Sequence, residues 1–305
     1  MHIIEATHLQ KYYGDVKAVQ DISFHVEKGE LFGFLGINGA GKSTTIHMLC
    51  TLFPPTNGTA TICGYTLGKQ NQEIRNKIGI VSQQNCLDDM LSVKENLFIR
   101  GSLYESDAKA LKQRLEEVSQ LLNLEDILSR KFSKLSGGQK RRCEIARALM
   151  HSPEILFLDE PTTGLDPATR KTVWKCIEAL QKEMGMTVFL TTHYMEEAAE
   201  ANHIAIIDHG NLMEYGTPYE LKEVYAKDRL LLVPKDIQAL SKKLAHHQIQ
   251  HKTLDQKILV ELNQTIEALP LLTQLQTDIQ GFEVLQGTMD DLFLNVTGKQ
   301  LKEEQ

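Results

Sequence analysis

Residues 36–45 read GINGAGKSTT and follow the apolar run Leu31-Phe32-Gly33-Phe34-Leu35. Gly36, Gly41, Lys42 and Ser43 meet the pattern GxxxxGK[ST], and the residues after them, KSTTIHML, can continue as a helix. Glycines let the backbone fold around phosphate oxygens with N–H groups turned inward, and the N-terminus of the following helix adds about half a positive charge. On this reading the stretch Gly36, Ile37, Asn38, Gly39, Ala40 and Gly41 cradles a nucleotide's phosphates. Lys42 bridges the outer ones, Ser43 ligates Mg²⁺, and Thr44 belongs to the same phosphate-contacting set. The bland alternative is a glycine turn that happens to precede Lys-Ser, and the flanking strand and helix weigh against it.

The chain of 305 residues is long enough for one large domain and a small one, or for two of medium size. A net charge of -7 argues against a chain whose main task is neutralising a phosphate backbone, so nucleic acid is not expected as a partner. The longest apolar runs, such as Ile155-Leu156-Phe157-Leu158, fall far short of the roughly 20 residues that span a bilayer. The opening residues MHIIEATHLQ lack the basic and apolar regions of a secretion signal, so a cytosolic location is expected. The five cysteines (50, 63, 86, 143, 176) are scattered without a CxxC pair, as suits reduced thiols better than a disulfide or zinc framework. His246, His247 and His251 could suggest a metal, but a solvated helix end is the simpler reading.

From Ile3 to about Tyr225, β-rich runs, glycine turns and helical stretches alternate, which predicts a layered α/β domain with a largely parallel sheet. Leu31–Leu35, Ile78–Val81, Ile155–Leu158, Thr187–Thr191 and Ile204–Ile207 are unbroken apolar runs, as expected of strands covered on both faces. Between residues 92 and 131 the spacing of Leu111, Leu115, Val118, Leu121 and Leu122 is helical, so a helical subdomain over about 88–150 interrupts the α/β core. Beyond residue 228 the predicted order is strand (229–233), helix (236–246), strand (257–262), helix (265–276) and strand (282–285). That order suggests a small ferredoxin-like α+β domain over 228–305.

Two further stretches carry chemistry. ILFLDEPTTGLDP, residues 155–167, is a buried strand ending in adjacent acids. Strand alternation would send Asp159 toward a metal and turn Glu160 outward to an attacking water, although Asp-Glu-Pro is also good turn chemistry. LSGGQ, residues 135–139, precedes the helical KRRCEIARALM, so Ser136 falls at a cap with free N–H groups behind it. One phosphate loop hardly needs a second anion-seeking helix start.

Together these residues closely resemble the ATP-binding cassette of ABC transporters over residues 1–225. GINGAGKST stands as Walker A, Gln83 in IGIVSQ as the Q-loop, LSGGQ as the signature and ILFLDE as Walker B. Gly164-Leu165-Asp166 stands as the D-loop and His193 in TTHYMEEA as the switch histidine. Ile37 and Ser82 occupy positions where related cassettes often carry proline, and Asn202-His203 replaces a common Asp-Arg pair.

The resemblance implies an ATPase using ATP and Mg²⁺, with Asp159, Ser43 and Gln83 around the metal. Glu160 would polarise water, His193 would meet the γ-phosphate, and Lys42 would stabilise the transferring group. Tyr13, in KYYG, would stack on adenine, though packing is the ordinary role for Tyr12 and Tyr13. It further implies that two cassettes close head to tail, each presenting Ser136, Gly137, Gly138, Gln139 and Asp166 to the other's nucleotide. A homodimer or a heterodimer with another cassette would satisfy this. A separate integral-membrane permease would hold the cassettes at the cytoplasmic face of the membrane. LSVKENLFIRGSLYES resembles the helical arm of exporter cassettes of the drug, lipid or polysaccharide type. GTMDDLFLNVTGK (287–299) resembles the C-terminal ending of multidrug-resistance-type ABC ATPases, although a docking helix that merely covers the small domain's sheet would read the same. An importer ATPase and a soluble ABC ATPase of chromosomes, repair or translation are the alternatives. The former usually carries a β-barrel-like extension, and the latter coiled coils, zinc cysteines or two cassettes per chain.

Overall fold

The five unbroken apolar runs become five parallel strands of one sheet. In the computed structural model, which describes residues 1–298, the first of two units covers Met1–Tyr215 and the second begins at Gly216. The first opens with β1 (His2–Tyr13), β2 (Val16–Glu27), β3 (Leu31–Leu35), α1 (Lys42–Leu49), β4 (Asn57–Ile62), β5 (Tyr65–Thr66), α2 (Asn71–Lys77) and β6 (Ile78–Val81). Next come α3 (Val93–Gly101), α4 (Ala108–Leu121), α5 (Gly137–Leu149), β7 (Ile155–Asp159) and α6 (Pro167–Met184). It closes with β8 (Thr187–Thr192), α7 (Met195–Ala198), β9 (His203–Asp208) and β10 (Asn211–Gly216).

The larger sheet has the order β10-β9-β3-β8-β7-β6, parallel from β9 to β6. A second sheet, β2-β1-β4-β5, is antiparallel and was not singled out from the sequence. Repeated register shifts between β1 and β2 break the alternation that would have announced those strands. A shared core joins Ile4, Leu9, Ile22 and Val26 of this sheet to Phe32, Phe34, Phe157 and Phe189 of the larger one. Ile46, Met48 and Leu49 of α1 complete it. The helix that opens at the phosphate loop is thereby anchored to both sheets.

The expected helical subdomain is α3, α4 and α5. Capping boxes at Ser92/Glu95 and Ser136/Gln139 start α3 and α5, while the Asp107 side chain caps α4. Leu111, Leu115 and Val118 form the buried stripe of α4.

The second unit contains α8 (Pro218–Tyr225), β11 (Asp228–Pro234), α9 (Ile237–His246), β12 (His251–Leu254), β13 (Lys257–Leu262), α10 (Ala268–Leu275), β14 (Ile279–Leu285) and α11 (Met289–Thr297). Its antiparallel sheet, β12-β13-β11-β14, has ferredoxin-like topology. Leu230, Leu232, Ile258, Val260 and Leu262 bury against Leu240, Leu244 and Leu275 of its helices.

Two particulars differ from expectation. The units part at 215/216 rather than near 225, because α8 packs with α11 and so belongs to the second. His251 lies on a strand, β12, with its ring 2.8 Å from Ser241 Oγ, and not on a solvated helix end. Lys299, the last residue of the GTMDDLFLNVTGK stretch, and the expected domain's remainder to 305 lie outside the described residues. Among the described residues no helix is long and apolar enough to cross a membrane.

Candidate nucleotide site

One sheet register assembles the site. Parallel pairing aligns Leu35 with Thr192, Asp159 with Thr191, and Val81 with Leu158, so the carboxyl ends of β3, β8, β7 and β6 share one edge. The loops that leave that edge carry Gly36–Gly41, His193, Glu160 and Gln83. Open α/β sheets bind ligands at this end of their strands.

The glycines of the first loop answer to sterics. A Cβ at Gly36 would sit 2.5 Å from the Ile207 carbonyl oxygen; one at Gly41, whose φ is +112°, would sit 2.5 Å from that of Ala18. Neither position tolerates a side chain, so β9 and β2 hold the loop from both sides. Gly41 is the N-cap of α1, no side chain caps this helix, and no acid stands in its first turn. Its leading N–H groups therefore face the loop with the positive end of the helix dipole behind them.

Lys42 is buried and donates from Nζ to the carbonyls of Gly36 (2.7 Å) and Ile37 (3.2 Å). Burial pushes its pKa down, and the neighbouring Glu160 and Asp159 oppose that shift. Ser43 Oγ lies 3.3 Å from Asp159 Oδ1, which also accepts from Thr191 Oγ1 at 2.6 Å.

Glu160 corrects the expectation of diverging carboxylates. Its φ of +47° takes it out of strand alternation, while its N–H is held by the Thr191 carbonyl (3.2 Å) and Oγ1 (3.1 Å). Glu160 therefore turns back toward the loop, with Oε1 3.4 Å from Lys42 Nζ. A non-glycine residue held in this region is strained, and such strain concentrates at functional sites. His193 Nδ1 is buried 3.4 Å from Glu160 Oε2 without an aligned hydrogen bond, and Thr163 Oγ1 donates to the same oxygen at 3.2 Å. The Glu160 pKa is held down to about 2, first by the His193 ring, then by Lys42 and Thr163, against the opposing effect of burial.

Lys42, Ser43, Asp159, Glu160 and His193 thus converge. Gln83 stands exposed two residues beyond β6 at the same sheet edge. Tyr13 ends β1, about half exposed, with Lys11 Nζ 5.2 Å above its ring. Ser136 and Gln139 satisfy each other in the α5 capping box, so the N–H groups behind Ser136 are not all free as expected. Asp166 caps α6, accepting from the Thr169 N–H at 3.0 Å. Gly138 faces Thr169, whose Cγ2 would lie 2.2 Å from a Cβ there.

Four residues were missed. Thr191 orients both acids, as described. Buried Arg141 on α5 donates to the carbonyls of Pro161 (2.6 Å), Ser82 (2.6 Å) and Asp159 (3.1 Å). Glu144, one turn on, accepts from the N–H groups of Cys86 and Leu87 and pairs with Arg147. Buried Glu197 accepts from Thr162 Oγ1 and Thr192 Oγ1, tying the segment after Glu160 to the end of β8. For Arg141, Glu144 and Glu197 the signal available was a charged residue at an apolar position of a helical pattern. The unusual Asn202-His203 pair has local partners: Asn202 Oδ1 accepts from the Leu31 N–H (2.8 Å), and His203 Nδ1 meets Glu30 Oε2 (2.7 Å).

Fold and site define a P-loop nucleotide-binding α/β protein with a helical insertion. Residues 19–163 match the ABC transporter family, and residues 216–297 match the C-terminal domain of DrrA1-3-like ATP-binding proteins. The chain is 36% identical to the linearmycin resistance ATP-binding protein LnrL of Bacillus subtilis, over 99% of this chain and 100% of that one. It is 37% identical to the daunorubicin/doxorubicin resistance ATP-binding protein DrrA of Streptomyces peucetius, over 97% and 92%. The ATP-binding cassette MJ0796, solved as a dimer in a post-hydrolysis state with ADP and Pi, superposes with a TM-score of 0.63 at 27% identity, covering 70% of this chain and 98% of that one. The chain belongs to the ABC transporter family as an ATP-binding, ATP-hydrolysing subunit with a DrrA-like C-terminal domain.

Proposed function

We propose that this subunit powers an exporter through two cassettes that close around ATP against a separate integral-membrane permease. The observation that carries the reading is the convergence of Lys42, Ser43, Asp159, Glu160 and His193 on one loop. Residues 36–44 bind the phosphates, with Lys42 on the outer ones, and Tyr13 stacks on adenine. Glu160, already ionised, orients water and accepts its proton; His193 steadies the γ-phosphate. Ser43 Oγ and the Asp159 carboxylate, 3.3 Å apart, are hard oxygen donors that fit Mg²⁺, with Gln83 as a further ligand. Mg²⁺ bound there neutralises charge on the phosphate oxygens. Ser136, Gly137, Gly138, Gln139 and Asp166 face the nucleotide of the second cassette. A homodimer then has two working sites, since this chain holds the whole set.

The exporter reading draws support from the antibiotic-resistance names of relatives that match nearly the whole chain. On this reading the protein sits at the cytoplasmic face, held there by the permease. The cassette spans 1–215 and the domain beyond it is an accessory to it.

Glu160→Gln with a C-terminal tag, isolated from gently solubilised membranes with ATP, tests this. The expected result is ATP-dependent cassette dimers, hydrolysis slowed by about 10²–10⁴, and a stoichiometric multi-span membrane protein in the eluate. Undiminished turnover would overturn the assignment of Glu160. Recovery of dimers with soluble proteins or nucleic acid alone would overturn the transport reading.

A further inference from the structure

We infer that one corner of the β1–β2 sheet binds a divalent transition-metal ion through His2, His25 and Glu27, apart from the nucleotide site. One ligand atom from each lies within 4.8 Å of the other two. The backbone explains why they meet. His25 and Glu27 are two apart on β2 and share a face, and His2 pairs directly with Glu27 across the strands. The register shifts between His2 and Ile4, so Ile3 and Ile4 are both buried while His2 stands outward. An irregularity of this kind re-aims a side chain.

The corner is organised beyond the three ligands. The His25 ring lies 4.1 Å from that of His2 and 5.1 Å from that of Tyr215, whose hydroxyl donates to the His25 carbonyl at 3.1 Å. The Glu27 N–H is held by Glu30 Oε1 at 2.7 Å. Glu27 Oε1 lies 2.8 Å from His2 Nδ1, and its Oε2 pairs with the Met1 amine. Ligands of a tetrahedral zinc stand roughly 3.3 Å apart, given metal–ligand bonds of about 2.0–2.2 Å. Small rotations of part-exposed side chains reach that spacing, with water in the fourth position. Two imidazoles and a carboxylate select borderline ions such as Zn²⁺ over the oxygen-seeking Mg²⁺ and Ca²⁺. The opposite end of β2, at Ala18, adjoins Gly41 of the phosphate loop, so the ion would brace the strand that flanks the nucleotide.

The test uses the full chain, C-terminally tagged, stripped by chelator and kept in excess Mg²⁺. Zn²⁺ is titrated against a chromophoric chelator, and Co²⁺ spectra are recorded in parallel. The wild type should take up one equivalent, with cobalt d–d bands that lack thiolate charge transfer. His25→Ala and Glu27→Gln should each weaken that equivalent by at least about 10-fold, the lower end for losing even an outer-shell partner of a metal site. Wild-type ATP hydrolysis and circular dichroism in His25→Gln, with the same loss of zinc, would separate ligand loss from misfolding. Equal zinc affinity in wild type and variants, no zinc equivalent in the wild type, or thiolate bands with Co²⁺ would each overturn the inference.

Discussion

Lys42 Nζ and Glu160 Oε1 stand 3.4 Å apart with 4% and 11% of their side chains exposed, one at the start of α1 and the other just past β7. Two ends of the site are thus coupled by charge. Glu160 has its pKa lowered from 4.5 to about 2, so it binds fewer protons folded than unfolded at mildly acid pH. Its contribution to stability is complete above the unfolded value and disappears as pH falls through the folded one. Glu160→Gln removes the titration. Urea unfolding of wild type and variant should therefore show a gap that shrinks between about pH 5 and about pH 3. An unchanged gap would mean that the pairing with Lys42 and His193 does not hold the carboxylate in its charged form.

Gly138 touches α6 too closely for any side chain. A Cβ would meet Thr169 Cγ2 at 2.2 Å, and Thr169 cannot swing freely because its N–H and hydroxyl both bond Asp166. Gly138→Ala should cost about 1–3 kcal/mol by overpacking and reduce ATP hydrolysis. Thr169→Ser deletes the offending methyl and keeps the hydroxyl, so the double variant should regain most of the loss in a double-mutant cycle. Additive costs would place the damage elsewhere, in the signature turn itself.

Arg141 spends its guanidinium on three carbonyls from three segments, those of Ser82, Asp159 and Pro161. Burial lowers its pKa to about 10, which leaves it charged at neutral pH. Lysine offers a point charge in place of a fork, so Arg141→Lys leaves buried carbonyls unpaired. The expected loss is about 2–4 kcal/mol in urea unfolding, with slowed hydrolysis, because the segments that Arg141 ties bear Asp159 and adjoin Gln83. A variant within about 0.5 kcal/mol of wild type would show that water replaces the guanidinium at no cost.

What the sequence made legible follows a physical division. Buried parallel strands such as Ile155–Asp159 announce themselves because both faces are apolar, and Gly36–Ser43 because only that spacing of glycines, lysine and serine cradles phosphate. β1 and β2 stayed hidden because bulges disturb their alternation. The turn-back of Glu160 was illegible because strand periodicity predicts divergence, whereas its φ is +47° and its N–H bonds Thr191, 31 residues along the chain. Arg141 and Glu197 left only the signal of a charge at an apolar helical position, because the carbonyls of Ser82, Asp159 and Pro161 and the hydroxyl of Thr162 lie far from them along the chain.

The stretch 287–298 has a reading in the second unit that can be tested without nucleotide. Asp291 accepts from the Thr288 N–H (2.9 Å) and hydroxyl (2.7 Å), closing the capping box of α11, and from Arg229 Nη2 of β11 (2.9 Å). Asp291→Ala loses the side-chain half of the capping box, while Thr288 Oγ1 still accepts from the backbone N–H of residue 291, and it strands a part-buried guanidinium, so the second unit should lose about 1–2 kcal/mol. Asp291→Asn keeps a capping acceptor and should fall between. The single tryptophan, Trp174 on α6, lies in the first unit, so its fluorescence follows that unit alone. Hydrogen exchange of β11 and α11 should rise in Asp291→Ala while the tryptophan transition stays at its wild-type urea midpoint. A shifted tryptophan midpoint would show instead that the two units unfold together, and that Asp291 stabilises the cassette through the unit it caps.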